Sequence, residues 1–236
     1  MNLIPVIDLM QGQVVRAVRG NRQAYQPVVS RLCASTDPVT LARALCAHCA
    51  TRQLYLADLD ALLGRPAQAA QLRALLNELP ELELWLDAGF ASARAAAALI
   101  AELGPGGQRV VPVFGSESLA SRAELERCFS GAKGSADDLL SLDRRDGQRL
   151  DAAGCWDAVA LWPKRVIVMT LERVGADAGP DLDTLRDLRL KSPTTCFVGA
   201  GGIRSESDLA RVRDAGAGAW LVASALHDGR LARVRA

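Results

Sequence analysis

Arg165-Val166-Ile167-Val168-Met169-Thr170 carries four consecutive apolar residues between a cation and a hydroxyl. A strand with one face in water alternates apolar and polar residues. An unbroken run is the mark of a strand covered on both faces, as in a parallel sheet. Further β-type segments lie at 3–7, 53–58, 82–87, 109–114, 138–143, 195–199 and 219–222. Ala/Leu/Arg-rich stretches with helical spacing lie between them, at 38–49, 68–78, 92–103, 118–129, 182–190 and 205–215. Asp37 before Pro38, Ser92 and Ser205 stand where helices are capped at the start, and Gly104 and Gly216 where they end. Eight strands alternating with helices over 236 residues predict an α/β fold, a (βα)8 TIM barrel forming one domain over 1–236. An open doubly wound sheet would carry a glycine-rich dinucleotide fingerprint after its first strand. No G-x-G-x-x-G follows Val6-Ile7-Asp8-Leu9.

The chain also repeats itself. Asp8-Leu9-Met10-Gln11-Gly12-Gln13 matches Asp143-Arg144-Arg145-Asp146-Gly147-Gln148, 135 residues later. Residues 54–58 match 166–170, and Ala88-Gly89 matches Ala200-Gly201, both at an offset of 112. Strands 1, 2 and 3 thus pair with 5, 6 and 7, which implies an internal two-fold repeat of half-barrels.

Composition excludes several classes. Half the residues are hydrophobic and 23% are charged, a globular balance. Lys plus Arg is 28 against 27 for Asp plus Glu, so the basic excess of a nucleic-acid binder is missing. Six scattered cysteines do not suggest a disulfide scaffold. Cys46-Ala47-His48-Cys49 lies in a helical segment with no second ligand pair, so helix packing is expected there and no metal. The start of the chain has no basic, apolar leader, and no stretch approaches the ~20 apolar residues that span a bilayer. The expectation is a soluble, cytoplasmic protein without nucleic-acid or membrane partners.

Asp8 and Asp143 end strands 1 and 5, on opposite sides of the ring, where barrel active sites open. Two carboxyls facing one another suit general acid–base chemistry, one protonated and one ionised. The plainer alternative is that each caps the Asp-x-x-x-Gly turn that follows it. Gly199-Ala200-Gly201-Gly202-Ile203-Arg204-Ser205 follows strand 7, and Val222-Ala223-Ser224-Ala225 follows strand 8. Backbone N–H groups of such loops hold phosphates, which makes Gly201, Gly202, Ala223 and Ser224 candidate phosphate ligands. A tight strand-to-helix turn is the alternative. In the first half Gly89, Gly115 and Ser116 are the weaker equivalents, with Phe90 standing opposite Gly202 as a plug or an apolar wall. Arg16 and Arg19, with Arg22, are candidates for phosphate or carboxylate contacts, beside a loop from Gly20 that closes over a ligand. Alternating Val and Arg in a solvated ribbon is the competing reading. Thr170 ends strand 6 and is a further candidate. Trp156 either stacks on a flat ligand or packs in the core. His48 and His227 have no evident partner.

Taken together, Ile4-Pro5-Val6-Ile7-Asp8-Leu9, Leu56-Ala57-Asp58-Leu59-Asp60-Ala61, Ser141-Leu142-Asp143, Gly179-Pro180-Asp181, Gly201-Gly202-Ile203-Arg204 and Val222-Ala223-Ser224-Ala225-Leu226 resemble a known family. It is the histidine-biosynthesis half-barrel family, which includes phosphoribosylformimino-aminoimidazole carboxamide ribotide (ProFAR) isomerase and the imidazole glycerol phosphate synthase cyclase. Asp58-Leu59-Asp60 and the Val-Arg pattern are closer to the isomerase. The resemblance implies paired phosphate sites and a cofactor-free, metal-free Amadori rearrangement of a small phosphorylated substrate. Asp8 acts as base and Asp143 as acid in that scheme. Two stretches depart from the family. Its Gly-Gly-Gly-Ile-Arg after strand 3 is Asp87-Ala88-Gly89-Phe90-Ala91 here, and its acidic-Gly-Thr turn after strand 6 is Val174-Gly175-Ala176. The alternatives these changes raise are a paralogue using a singly phosphorylated substrate, as in tetrahydromethanopterin or methanofuran biosynthesis, and a non-catalytic barrel that binds a phosphometabolite.

Overall fold

The computed structural model describes residues 1–19, 21–130 and 137–234. Its eight barrel strands are β1 (Asn2–Met10), β2 (Gln53–Asp58), β3 (Glu83–Asp87), β4 (Val110–Gly115), β5 (Leu139–Arg145), β6 (Arg165–Thr170), β7 (Cys196–Ala200) and β8 (Ala219–Val222). Each is parallel to the next, from Asp8 beside Ala57 to Ala200 beside Leu221. The ring closes where Ile4 of β1 pairs with Leu221 of β8. The helices packed around it are α1 (Pro38–Cys49), α2 (Ala69–Glu78), α3 (Ala93–Glu102), α4 (Arg122–Phe129), α5 (Leu182–Lys191), α6 (Glu206–Asp214) and α7 (Ser224–His227), and a further short helix, Leu59–Leu62, follows β2 directly. The chain is a (βα)8 TIM barrel.

Two cores explain the unbroken apolar strands. Tyr55, Ala57, Trp85, Val113, Leu139, Ile167 and Val198 pack inside the barrel. Leu54, Leu56, Leu84, Val166 and Val168 point outward against the helices. Successive residues of a strand face opposite ways, so Val166-Ile167-Val168 serves both cores at once. Trp156 lies in the outer core, with Arg149 over its ring at 5.1 Å, and does not line the cavity at the carboxyl ends of the strands. Of the two readings open for it, packing is the one the fold uses.

The matching Asp-x-x-x-Gly segments are matching hairpins. β1 turns through Gln11-Gly12 onto Gln13–Arg16, and β5 turns through Asp146-Gly147 onto Gln148–Arg149. All four turn residues have positive φ, between 49° and 79°, the geometry two-residue hairpins need. Asp8 and Asp143 sit within the strands, before the turns. They do not form them.

Helix starts follow the capping residues. Asp37 accepts from the Thr40 N–H at 2.8 Å, and Ser92 from the Ala95 N–H at 3.2 Å. The helix expected from 118 begins only at Arg122, because Ser121 caps it and residues 115–119 form a turn. Between β5 and β6 the chain uses two single 3-10 turns, Cys155–Asp157 and Val159–Leu161, instead of an α-helix.

Asp58, at the end of β2, pins the mouth of the barrel. It is fully buried and accepts from Ala61 N at 3.2 Å, Gln68 N at 2.7 Å and Gln68 Nε2 at 3.0 Å. Gln68 in turn accepts from Gly12 N at 2.6 Å and donates to the Leu9 carbonyl at 3.1 Å. Removing the carboxylate orphans buried donors, each at roughly 1–3 kcal/mol. Asp58→Ala is therefore expected to destabilise the fold by about 2–4 kcal/mol, read as a lowered denaturation midpoint. An unchanged midpoint would show that the network contributes nothing.

Candidate active site

The carboxyl ends of the strands enclose a cavity with about 990 Å³ of empty space, part of it open to solvent. Asp8 of β1 and Asp143 of β5 both line it. So do Gly201, Gly202, Ala223 and Ser224 from the loops after β7 and β8. Six candidate residues read from sequence are thus gathered around one space.

Asp143 is a strongly perturbed acid there. It is 4% exposed, with Ser141 Oγ donating to Oδ1 at 2.6 Å and Glu117 N to Oδ2 at 3.2 Å. Ser116 Oγ lies 3.3 Å from Oδ2 and accepts the Asp143 N–H at 2.8 Å. Burial, and then the nearby Glu117 charge, push the carboxyl up to about 8, against the opposing pull of the Ser141 hydroxyl. At neutral pH Asp143 is a neutral acid that still holds its proton.

Tyr55 was not singled out in the sequence. Its strand, Gln53–Asp58, is apolar on both faces and does not reveal which residue points inward. The phenol points into the cavity and donates to Asp87 Oδ2 at 2.9 Å. Burial, then the charges of Asp87, of Asp143 once it ionises above about 8, and of Asp8, hold it protonated. Asp87 ends β3, also lines the cavity, and accepts from Gly89 N at 3.1 Å. Glu117, Arg145 and Arg173 are further lining residues that sequence reasoning missed. Arg145 Nε is buried without a hydrogen-bond partner, and Arg173 is spent on the Ala178 and Gly179 carbonyls, at 2.8 and 3.2 Å.

The loop after β7 requires its glycines. Gly201 and Gly202 have φ of +76° and +78°, and a Cβ on Gly202 would overlap the Gly179 carbonyl oxygen. The Gly201 carbonyl accepts from Trp220 Nε1 at 3.0 Å, which fixes the loop to β8. Ser224 opens α7 just beyond.

Other candidates are placed elsewhere. Arg16 forks onto Asp228 at 2.7 and 2.8 Å, and Arg230 bridges Asp228 and Asp177 at 2.9 and 2.7 Å. This chain of ion pairs ties the first hairpin to the loops after β6 and β8. Arg19 is exposed, with its N–H on the Val174 carbonyl at 2.8 Å. Thr170 is buried and donates to Asp181 at 2.8 Å, ahead of α5. Gly89, Gly115 and Ser116 do not line the cavity; Ser116 lies beneath Asp143, and a Cβ on Gly115 would stand 3.0 Å from Asp143 Oδ2. His227 is buried with Nδ1 3.0 Å from Ser30 Oγ, and burial lowers it to about 4, so it stays neutral. Gly20 and the Arg22 side chain lie outside the described residues. Tyr25, further along that loop, lines the cavity, and Gln26–Pro27 pair with Val15 and Arg16.

The two halves match differently from the Ala-Gly alignment. The N-cap positions, Ser92 and Ser205, and the strand ends, Asp87 and Ala200, are each 113 residues apart, although only Ser92 caps its helix with its side chain; the Ser205 hydroxyl pairs with Ser207 instead. Gly202 therefore stands opposite Gly89, and Phe90 opposite Ile203; both of the latter are buried. Phe90 packs on Phe114 at 5.9 Å, away from the cavity, and is neither plug nor wall. The substitutions that matter are Asp87 for Ala200 and Ala88 for Gly201.

A (βα)8 barrel with carboxyl groups around a cavity at the C-terminal ends of its strands belongs to the class of barrels with a site at that face. A family model described as histidine biosynthesis protein matches residues 2–232, and the chain belongs to that family. An uncharacterized protein of Methanocaldococcus jannaschii is 26% identical over 234 residues, covering 98% of this chain and 95% of the relative. A 1-(5-phosphoribosyl)-5-((5-phosphoribosylamino)methylideneamino) imidazole-4-carboxamide isomerase of Thermomicrobium roseum is 28% identical over 246 residues, covering 98% and 94%. The isomerase of the same name from Cenarchaeum symbiosum is 28% identical over 242 residues, covering 98% and 97%. Among the described residues no helix is long and apolar enough to cross a membrane.

Proposed function

We propose that this protein is an aldose–ketose isomerase of the Amadori type, acting on a phosphorylated N-substituted aminoribose. The carrying observation is the pair of acids in one cavity: Asp8 on β1, and Asp143 on β5 held protonated at neutral pH. Asp143 gives its proton to the ring oxygen as the amino nitrogen forms the C1=N bond and the ring opens. Asp8 removes the C2 proton, giving the enaminol. Protonation at C1 and loss of the O2 proton then yield the aminoketose and restore both carboxyls. The N–H groups around Gly201, Gly202 and Ser224 hold the phosphate. The isomerase names of two relatives support this reading.

The reaction requires the acid form of Asp143. With its carboxyl at about 8, kcat/KM for ProFAR is expected to fall as pH rises through about 8. Purified protein assayed for ProFAR turnover between pH 6 and pH 10 checks this. Turnover without that descending limb refutes the role of Asp143, and no turnover at any pH refutes ProFAR as the substrate.

A second reading, a singly phosphorylated substrate, is favoured by Asp87 and Ala88 at the first-half positions of Ala200 and Gly201. Complementation of an isomerase-deficient histidine auxotroph separates the two. Growth supports ProFAR, and failure of the soluble protein to restore growth supports the second.

A further inference from the structure

Tyr55 is a phenol in an apolar strand, and the fold sets it among acids. It stands on β2, with Val6 of β1 on one side and Trp85 of β3 on the other. It is 3% exposed, lines the cavity, and donates to Asp87 Oδ2 at 2.9 Å. Asp87 is oriented in turn by the Gly89 N–H on its other oxygen, at 3.1 Å. A phenol has one proton to give and lone pairs that accept. With that proton directed at Asp87, the Tyr55 oxygen offers the cavity an acceptor. The ligand atom that meets it is therefore a donor.

The surroundings say which donor. Among the described lining residues, β1, β2 and β3 contribute three polar side chains: Asp8, Tyr55 and Asp87. The other charged groups of the cavity belong to its far side. Glu117 follows β4, Arg145 ends β5, and Arg173 and Asp177 follow β6. Arg173 is held by the Ala178 and Gly179 carbonyls, and Asp177 by Arg230. Asp8 pairs in register with Ala57, the inward residue next above Tyr55, so the phenol and Asp8 rise on adjacent strands beside a small side chain. In the proposed reaction Asp8 works at C2 of the sugar. The donor attached to that carbon is the 2-hydroxyl.

We infer that Tyr55 is the contact for the sugar's 2-hydroxyl: its oxygen accepts the O2–H hydrogen bond and takes that proton when the enaminol collapses, while its own proton passes to Asp87. This rests on the Amadori reading and names the acceptor for its last proton. In that step the O2–H bond breaks and the C2=O double bond forms. The O2 proton goes to Tyr55 Oη and the phenol proton to Asp87 Oδ2. C1 receives the proton that Asp8 took from C2. Asp87 then passes its proton, through solvent at the open side of the cavity, to Asp143, which ring opening left ionised. Each group ends as it began.

Two measurements on the full chain test this. Calorimetric titration compares ribose 5-phosphate with 2-deoxyribose 5-phosphate, which differ in that hydroxyl alone. The parent is expected to bind the ribose compound about tenfold tighter, and Tyr55→Phe to bind the two within about twofold of each other. Asp87→Asn keeps an acceptor for the phenol but cannot take its proton. It should retain the binding preference and lose roughly 10²-fold in kcat for ProFAR, a split that damage to the fold would not produce. Tyr55→Phe should lose at least as much kcat, and Asp87→Asn carries the test alone should Tyr55→Phe fail to fold. A preference that survives in Tyr55→Phe, or a kcat within a few-fold of the parent in either variant, overturns the inference and leaves the roles of Asp8 and Asp143 standing. A Tyr55-dependent preference in a parent that does not turn over ProFAR supports the contact and overturns the proton step. If the parent binds the two sugars equally, or binds neither, the contact falls, and ProFAR turnover alone decides the proposed function.

Discussion

Asp8→Asn and Asp143→Asn are each expected to lower kcat for the isomerisation by roughly 10²–10⁴-fold, the usual contribution of a general acid or base. Loss of activity alone would not separate chemistry from folding, and stability does so for Asp143. Its carboxyl is raised to about 8 in the folded protein, and an unfolded aspartate titrates near its ordinary value of about 4. The folded state therefore binds more protons between those values. The parent loses stability as pH rises from about 4 to about 8 and is flat beyond. An asparagine cannot ionise and escapes this loss. Asp143→Asn is expected to be the more stable protein above pH 8, by a margin on the order of a few kcal/mol, and nearly inactive. Denaturant midpoints at pH 5 and pH 9 show the crossover. A variant destabilised equally at both pH values would mean that Asp143 serves the fold alone.

Gly202→Ala is expected to combine two effects. The residue sits at φ +78°, and its new methyl group would meet the Gly179 carbonyl and the Pro180 backbone. Strain of this kind costs roughly 1–3 kcal/mol, and relief requires the loop to move. Moving the loop disperses the N–H groups proposed to hold phosphate. The variant should fold with a lowered Tm and bind inorganic phosphate at least about tenfold more weakly, a loss of roughly 1.4 kcal/mol. Gly104→Ala is the control. It also has positive φ, at +69°, but nothing lies within 4 Å of its would-be Cβ. It should show some strain and no loss of phosphate. Equal phosphate binding by Gly202→Ala and the parent would remove this loop from the site.

The strands were legible because burial on both faces leaves unbroken apolar runs, such as Val166-Ile167-Val168. The same feature hides which residues point inward. Leu54-Tyr55-Leu56-Ala57 shows no alternation, so nothing in it marks Tyr55 as the phenol among the carboxylates. The aspartates Asp8 and Asp143 were legible through the repeat, and the repeat proved to be two hairpins of one geometry. Partners distant in sequence were not legible. Arg16 pairs with Asp228, 212 residues away, and an alternating Val-Arg ribbon contains no sign of that. Ser116 has the composition of a phosphate ligand, yet the pairing of Gly115 with Ser141 brings it beneath Asp143. In the sequence an Ala-Gly dipeptide recurs one residue out of step and sets Phe90 opposite Gly202. The strand ends and N-cap positions set Asp87 opposite Ala200.

Of the two acids that line the cavity, Asp143 is expected to keep its proton at neutral pH. Carbon-13 NMR of the carboxyl groups, followed from pH 4 to pH 10 with Asp143→Asn for assignment, measures it directly. A carboxyl resonance that stays in the protonated position through pH 7, moves near pH 8 and vanishes in Asp143→Asn is the result expected. A resonance for Asp143 that has already moved below pH 5 would make it a carboxylate at neutral pH and remove it as the acid.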